Sequence, residues 1–270
     1  MEIINFDKNN IISELDNGRG AEGIAYLYND NGHVVVFKKF YDKNDLLEAY
    51  RNRKEFTAME ELYKDDEEID NTKNKELKLM ILKHEELLQK DIKLLKRVYY
   101  MGKFIGFTSE YEPYEPLSFI SKKNEKIRAL SLIQDRYEEL NKRGIYIGDF
   151  NQTNFCLDGD RIKLYDIDNF RVGDLDFNVQ SVAMMEYMNR CSDMKNIDFY
   201  CFNYFALSCL SSYQTDSILR GIAFDSPKFP HYLKTKEVLH FVNFLENMND
   251  NTKIEKTPNG KQKTLLYLLK

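Results

Sequence analysis

The sequence contains no apolar run approaching eighteen residues, so no membrane-spanning helix is expected. Its first residues, MEIINFDKNNIISEL, lack the basic segment and long apolar core of a secretory leader. The four cysteines, Cys156, Cys191, Cys201 and Cys209, show no C-x-x-C spacing, which argues for reduced thiols over a disulfide framework or a metal knot. The four histidines are scattered, without a zinc-ligand pair. A basic excess is missing too: the net charge of -5 disfavours nucleic acid as a partner. These absences describe a cytoplasmic, metal-free apoprotein with neither a membrane nor a nucleic-acid partner.

What is present is enough chain for a full core. At 270 residues it suits one two-lobed domain or two small ones, and a hydrophobic share of 43% with 31% charged residues is that of an ordinary globular protein. The most informative stretch is Gly144 to Phe170, GIYIGDFNQTNFCLDGDRIKLYDIDNF. Asp149 and Asn154 stand five positions apart in a loop. The apolar runs FCL and IKLY read as two strands, with DGDR as their turn. Such a loop and hairpin can gather Asp149, Asn154 and Asp166 at one mouth. Phosphoryl transfer needs this chemistry: a carboxylate to orient an attacking hydroxyl and oxygen ligands for a Mg²⁺ on the nucleotide phosphates.

Upstream, Gly18, Gly20 and Gly23 fit G-x-G-x-x-G, a weak signal alone because dinucleotide-binding folds share it. Here IAYLY follows the last Gly, then the turn signal NDNG and the strand-like His33-VVVFKKF-Tyr41. A Rossmann unit would open a helix at that point. Alternation along the strand places Val36 and Lys38 on one face and Lys39 on the other. Residues Asp45 to Tyr63 and Asn74 to Gln89 have helical periodicity, with a charged connection between them. Two further strands, Leu94 to Tyr100 and Phe104 to Ser109, flank Met-Gly-Lys, and the proline-stiffened EYEPYEPL follows. Asn124 to Arg143 is an amphipathic helix stopped by Gly144. Asn196 to Leu210 is an apolar helix with Asp198 near its start, and Lys236 to Glu246 is helical by pattern. TPNGKQK near the end reads as a surface turn.

In this order the parts resemble the protein-kinase superfamily, from residue 11 to residue 210. Ile147-Gly148-Asp149 with Asn154 is similar to the family's H-R-D-x-x-x-x-N, Asp166-Ile167-Asp168 to its D-F-G, and Val35-Val36-Phe37-Lys38 to its V-A-I-K. Glu186, in Ala-Met-Met-Glu where the family has A-P-E, precedes Asp198 by the usual interval. The chain resembles divergent bacterial or phage Ser/Thr protein kinases, and Gly148 is similar to the aminoglycoside- and choline-kinase branch. The fold so implied is α+β and two-lobed. Residues 1–112 would form a nucleotide-binding lobe with a five-stranded antiparallel sheet and a helical insertion within 44–90. Residues 113–270 would form a mainly helical catalytic lobe.

The resemblance implies ATP and Mg²⁺ as cofactors. Gly18, Gly20 and Gly23 would cover the phosphates, and Lys38, steadied by Glu55 or by Glu76, would hold two of them. Glu110 to Glu112 would offer backbone groups to adenine. Asn154 and Asp166 would bind Mg²⁺, and Asp149 would orient the acceptor hydroxyl. Asp168, in the place of the family's Gly, would add a carboxylate near the metal, or take a solvent-facing or turn role. Asp198 would hold the catalytic-loop backbone. The implied activity is γ-phosphate transfer to protein Ser/Thr hydroxyls. A small-molecule phosphotransferase of the aminoglycoside or choline kinase type, or a non-catalytic nucleotide-binding scaffold, is the alternative.

Overall fold

The computed structural model describes residues 1–19, 23–41, 71–89, 93–111, 117–177 and 181–269. The chain is mixed α and β, with an antiparallel-rich sheet in its N-terminal part and a helical C-terminal part. It divides into two compact units, Met1–Pro113 and Tyr114–Lys270. Among the described residues, no helix is long and apolar enough to cross a membrane.

The first unit is built on β1 (Glu2–Asn5), β2 (Ile11–Arg19), β3 (Gly23–Asp30), β4 (His33–Phe40), β5 (Leu94–Tyr100) and β6 (Lys103–Glu110). Their order across the sheet is β1-β5-β6-β4-β3-β2. The five strands expected from the sequence are all present, but among the described residues the sheet has six, and β1 runs parallel to β5. This corrects the five-stranded antiparallel expectation. The sequence EIIN does not alternate apolar and polar residues, and its pairing with β5 is reinforced just beyond it. The Phe6 N–H donates to the Tyr99 carbonyl at 2.6 Å. The Phe6 ring lies 5.5 Å from Phe37 and 5.8 Å from Tyr100. Tyr28, Val35, Phe37 and Val98 form the core of that face, and Ile4, Phe6, Ile11 and Ile105 pack around it.

The other face carries Phe40, whose ring meets Phe104 and Phe107 at 5.8 and 6.0 Å. Helix α1 (Asn71–Leu82) packs on β6, and a short helix α2 (Glu86–Gln89) follows it. The helix expected over Asp45 to Tyr63 lies outside the described residues.

The second unit is organised around α5 (Ile197–Ser211), every residue of which is buried. Helix α3 (Lys123–Asn141) packs against it, as does α4 (Val182–Met188). Two small sheets complete the frame. One pairs β7 (Ile145–Tyr146) with β10 (Arg171–Val172), and the other is the hairpin β8 (Phe155–Asp158) and β9 (Arg161–Leu164). Downstream come α6 (Thr215–Leu219), α7 (Ile222–Asp225), α8 (Lys236–Glu246) and α9 (Leu265–Leu268).

The C-terminal residues are clamped into this unit by polar contacts. The Leu265 N–H donates to Asn203 Oδ1 on α5 at 2.7 Å, and Thr264 Oγ1 donates to Gln134 Oε1 on α3 at 2.8 Å. Tyr137 Oη donates to Gln262 Oε1 at 2.8 Å. The expected surface turn is there, closed by the Thr257 N–H on the Lys261 carbonyl at 2.8 Å. Its end, however, is a docking segment. All four cysteines are free and buried.

Candidate active site

The loop between β7 and β8 is held from two sides. From α5, the buried Asp198 carboxylate accepts the Gly148 N–H at 2.8 Å through Oδ1 and the Ile147 N–H at 2.9 Å through Oδ2. From the other side, Phe150 is a buried wedge. Its ring centroid lies 5.7 Å from Phe155, 5.8 Å from Tyr137, and 5.9 Å from both Phe202 and Phe205. Asp149 sits between the hydrogen-bonded anchor and the aromatic one. Its own N–H turns back to the Ile147 carbonyl at 2.7 Å, and the Phe150 N–H to the Gly148 carbonyl at 3.1 Å. Two such short turns in succession leave the loop little freedom.

Gly148 is required at its place. Its φ of +66° is one that side chains rarely adopt. A Cβ there would come within 2.5 Å of the Phe177 ring and 2.9 Å of Met184. The charge that holds the loop is itself expensive to bury. Desolvation pushes the Asp198 carboxyl up to about 7, against the hydrogen bonds from Ile147, Gly148 and Asn141, which pull it down.

Asn154 is buried and its Nδ2 donates to the Asp149 carbonyl at 3.2 Å and to Asp149 Oδ2 at 3.3 Å. The amide nitrogen is spent on Asp149, and the amide oxygen, which accepts the Thr153 hydroxyl at 3.4 Å, has a second lone pair for a ligand. The Asn154 carbonyl accepts the Tyr165 N–H at 2.8 Å, next to Asp166. The β8–β9 register sets Phe155 opposite Leu164, and the β7–β10 register sets Ile145 opposite Val172. Three backbone ties thus bring the Asp149 loop and the Asp166 turn together. Asp166 has φ +55° and ψ +34°, a left-handed conformation uncommon for a non-glycine residue. The Asn169 N–H closes the following turn on the Asp166 carbonyl at 3.0 Å.

Asp168 is fully buried, which overturns the solvent-facing alternative for it. Asn154 and Asp166 offer one amide oxygen and one carboxylate. That pair suits a Mg²⁺ that keeps water and phosphate oxygens in its remaining positions. Among the described residues, no three His, Cys, Asp or Glu side chains form a closed metal cage.

In the first unit, Lys38 lies on β4 opposite Ala25 of β3 and Phe107 of β6. Its ammonium is 5.9 Å from the centroid of the Phe40 ring, and that of Lys75, a buried residue of α1, is 4.2 Å from it. No pattern in the sequence pointed to Lys75, because a lysine buried by its stem looks like any surface lysine of a helix. Glu76 has other partners. Its Oε1 accepts from Arg97 at 2.6 Å and from the Tyr99 hydroxyl.

Glu55, the other carboxylate considered for Lys38, lies outside the described residues, as do Gly20 and Glu112. Gly18 is part of β2. Gly23 opens β3, where a Cβ would meet the Lys39 carbonyl oxygen at 2.3 Å, so strand packing alone accounts for this glycine. Glu110 ends β6, its N–H donating to the Lys93 carbonyl at 3.2 Å and its carboxylate pairing with the Lys93 ammonium at 2.7 Å.

Glu186 is exposed on α4 and lies 3.5 Å from Arg190, which also donates to the Tyr200 hydroxyl at 2.5 Å and to the Leu245 carbonyl at 3.3 Å. Two residues of the site carried no readable signal: Phe150, which looks like any core aromatic, and Asn141, whose partners are set by the fold. No family model matches the chain, and no curated protein sequence matches it.

Proposed function

We propose that the chain is a Mg-ATP-dependent phosphotransferase of the protein-kinase kind, delivering the γ-phosphate to Ser or Thr hydroxyls of protein. The observation that carries this reading is the anchoring of Asp149. A buried carboxylate on a wholly buried helix holds the two N–H groups immediately before it. An aromatic wedge fixes the residue immediately after it. A side chain held this firmly beside an amide and a second, conformationally restricted aspartate is a preorganised polar site.

In this reading Asp149 accepts the proton of the attacking hydroxyl as the oxygen–phosphorus bond forms and the bond to the ADP oxygen breaks. Asn154 fixes the rotamer of Asp149 through its amide nitrogen and offers its oxygen, with the Asp166 carboxylate, to Mg²⁺. Mg²⁺, when bound, neutralises phosphate charge. In the first unit, the same reading would give Lys38 the role of a cation for phosphate oxygens.

The test is transfer of labelled γ-phosphate from Mg-ATP to the chain itself and to a generic basic protein, by wild type and by Asp149→Ala. Label that appears with the wild type and disappears with the variant is the expected result. No label on protein with either, while Mg-ATP still binds, would refute protein as the acceptor and turn the search to small-molecule hydroxyls.

A further inference from the structure

Asn141 is the last residue of α3 and belongs to no motif. With its amide nitrogen turned toward the surrounding oxygens, it reaches Asp198 Oδ2 at 2.8 Å, the Ile145 carbonyl at 2.9 Å and the Tyr137 carbonyl at 3.1 Å. The opposite orientation would set the amide oxygen against three acceptors, so the hydrogen-bond network decides the assignment. Two amide hydrogens serve these three oxygens, and the carboxylate is the strongest acceptor among them.

The consequence concerns the direction of the Asp198 carboxylate. Each of its oxygens takes one N–H of the loop, Oδ1 from Gly148 and Oδ2 from Ile147. Asn141 is the side-chain donor, and it approaches Oδ2 from α3, a different element. The same amide group reaches the carbonyl of Ile145 in β7, the strand that leads into the loop. One side chain therefore joins α3, α5 and the start of the Asp149 loop.

We propose that Asn141 is a positioning residue for the Asp149 loop, holding the Asp198 carboxylate at the angle at which its two oxygens meet the N–H groups of Ile147 and Gly148. Its role in turnover rests on the kinase reading above, whereas its role in holding the loop does not. Among the described residues, the titratable groups raised by the Asp198 charge are Tyr137 of α3, Tyr146 of β7 and Cys201 one turn along α5, with Asp149 also acting on Cys201. Burial drives Tyr137 and Cys201 well above their usual ranges and raises Tyr146, so all three are neutral near pH 7. The negative charge of Asp198 is balanced by N–H donors, of which Asn141 is one.

The first test needs no substrate: amide hydrogen exchange in wild type and Asn141→Leu. Exchange at Ile147 and Gly148 should quicken by about tenfold or more, while amides in the middle of α5, such as Ala206, keep their protection. The second is the pH profile of phosphate transfer. The acidic limb for kcat should move up by about one pH unit, with the KM for ATP unchanged. If Asn141→Leu does not fold, Asn141→Ser, which keeps a shorter donor, should give the same local pattern at smaller size.

Unchanged exchange at Ile147 and Gly148, or equal acceleration throughout α5, would overturn the proposal. If the wild type transfers no phosphate but exchange responds locally as stated, the kinase reading fails and the positioning role of Asn141 stands.

Discussion

Asp198 and Asn203 lie five positions apart on the same buried helix, and each uses its side chain to hold a distant stretch of backbone. Asn203 accepts the Leu265 N–H at 2.7 Å and gives its own Nδ2 to the Phe199 carbonyl at 2.7 Å. Asp198 accepts Ile147 and Gly148. One anchor is neutral and docks the C-terminal segment; the other is a carboxyl, charged above about pH 7, and docks the loop that carries Asp149. A neutral amide satisfies a buried N–H without the desolvation cost of an ion. The carboxylate carries that cost when ionised, and it does so at the loop that bears Asp149. An ion gives stronger hydrogen bonds to each N–H. Rigidity at Asp149 is what that charge supplies.

The comparison can be broken most severely at Asp198 itself. Asp198→Ala strands two buried N–H groups. It should lower unfolding free energy by about 2–5 kcal/mol in denaturant titration and reduce phosphate transfer at least about a hundredfold. Asn203→Leu strands one N–H, that of Leu265, and should cost about 1–3 kcal/mol while leaving transfer per folded molecule unchanged. Gly148→Ala, which forces a Cβ onto Phe177 and Met184 at a left-handed φ, should cost about 1–3 kcal/mol and slow transfer with it.

The smallest effect is pH dependence, and it belongs to one anchor only. The folded-state pKa of Asp198 is raised, to about 7, so the folded chain binds the extra proton. The stability linked to that proton is fully present below the ordinary carboxylate range and is lost as pH rises through about 7. Unfolding titrations at pH 5 and pH 8 should show this loss in wild type and in Asn203→Leu, and not in Asp198→Asn. Equal pH dependence in all three would show that another group is responsible.

Much of the second unit's site was legible in the sequence because its signals are local. The strands around DGDR, the stop at Gly144 and the helix Lys236–Glu246 follow from turn residues and periodicity within a few positions. So does the placing of Asp149, Asn154 and Asp166 around one hairpin. What was not legible depends on long-range partners. Phe150 is a wedge only because Tyr137 and Phe202 come to meet it. Asn141 matters only because α5 brings Asp198 to the end of α3. Glu76 takes Arg97 and Tyr99 as partners only because β5 lies across from α1. β1 escaped notice because a four-residue parallel strand has no turn and no visible period.

The most direct test of the account is phosphate transfer from Mg-ATP by wild type, Asp149→Asn and Asn203→Leu, measured side by side and scaled to folded protein. The account predicts transfer by wild type and Asn203→Leu and its loss in Asp149→Asn, whose side chain keeps its size but cannot accept the hydroxyl proton. Equal transfer by all three would contradict it, because the loop held by Asp198 would then have no part in the chemistry.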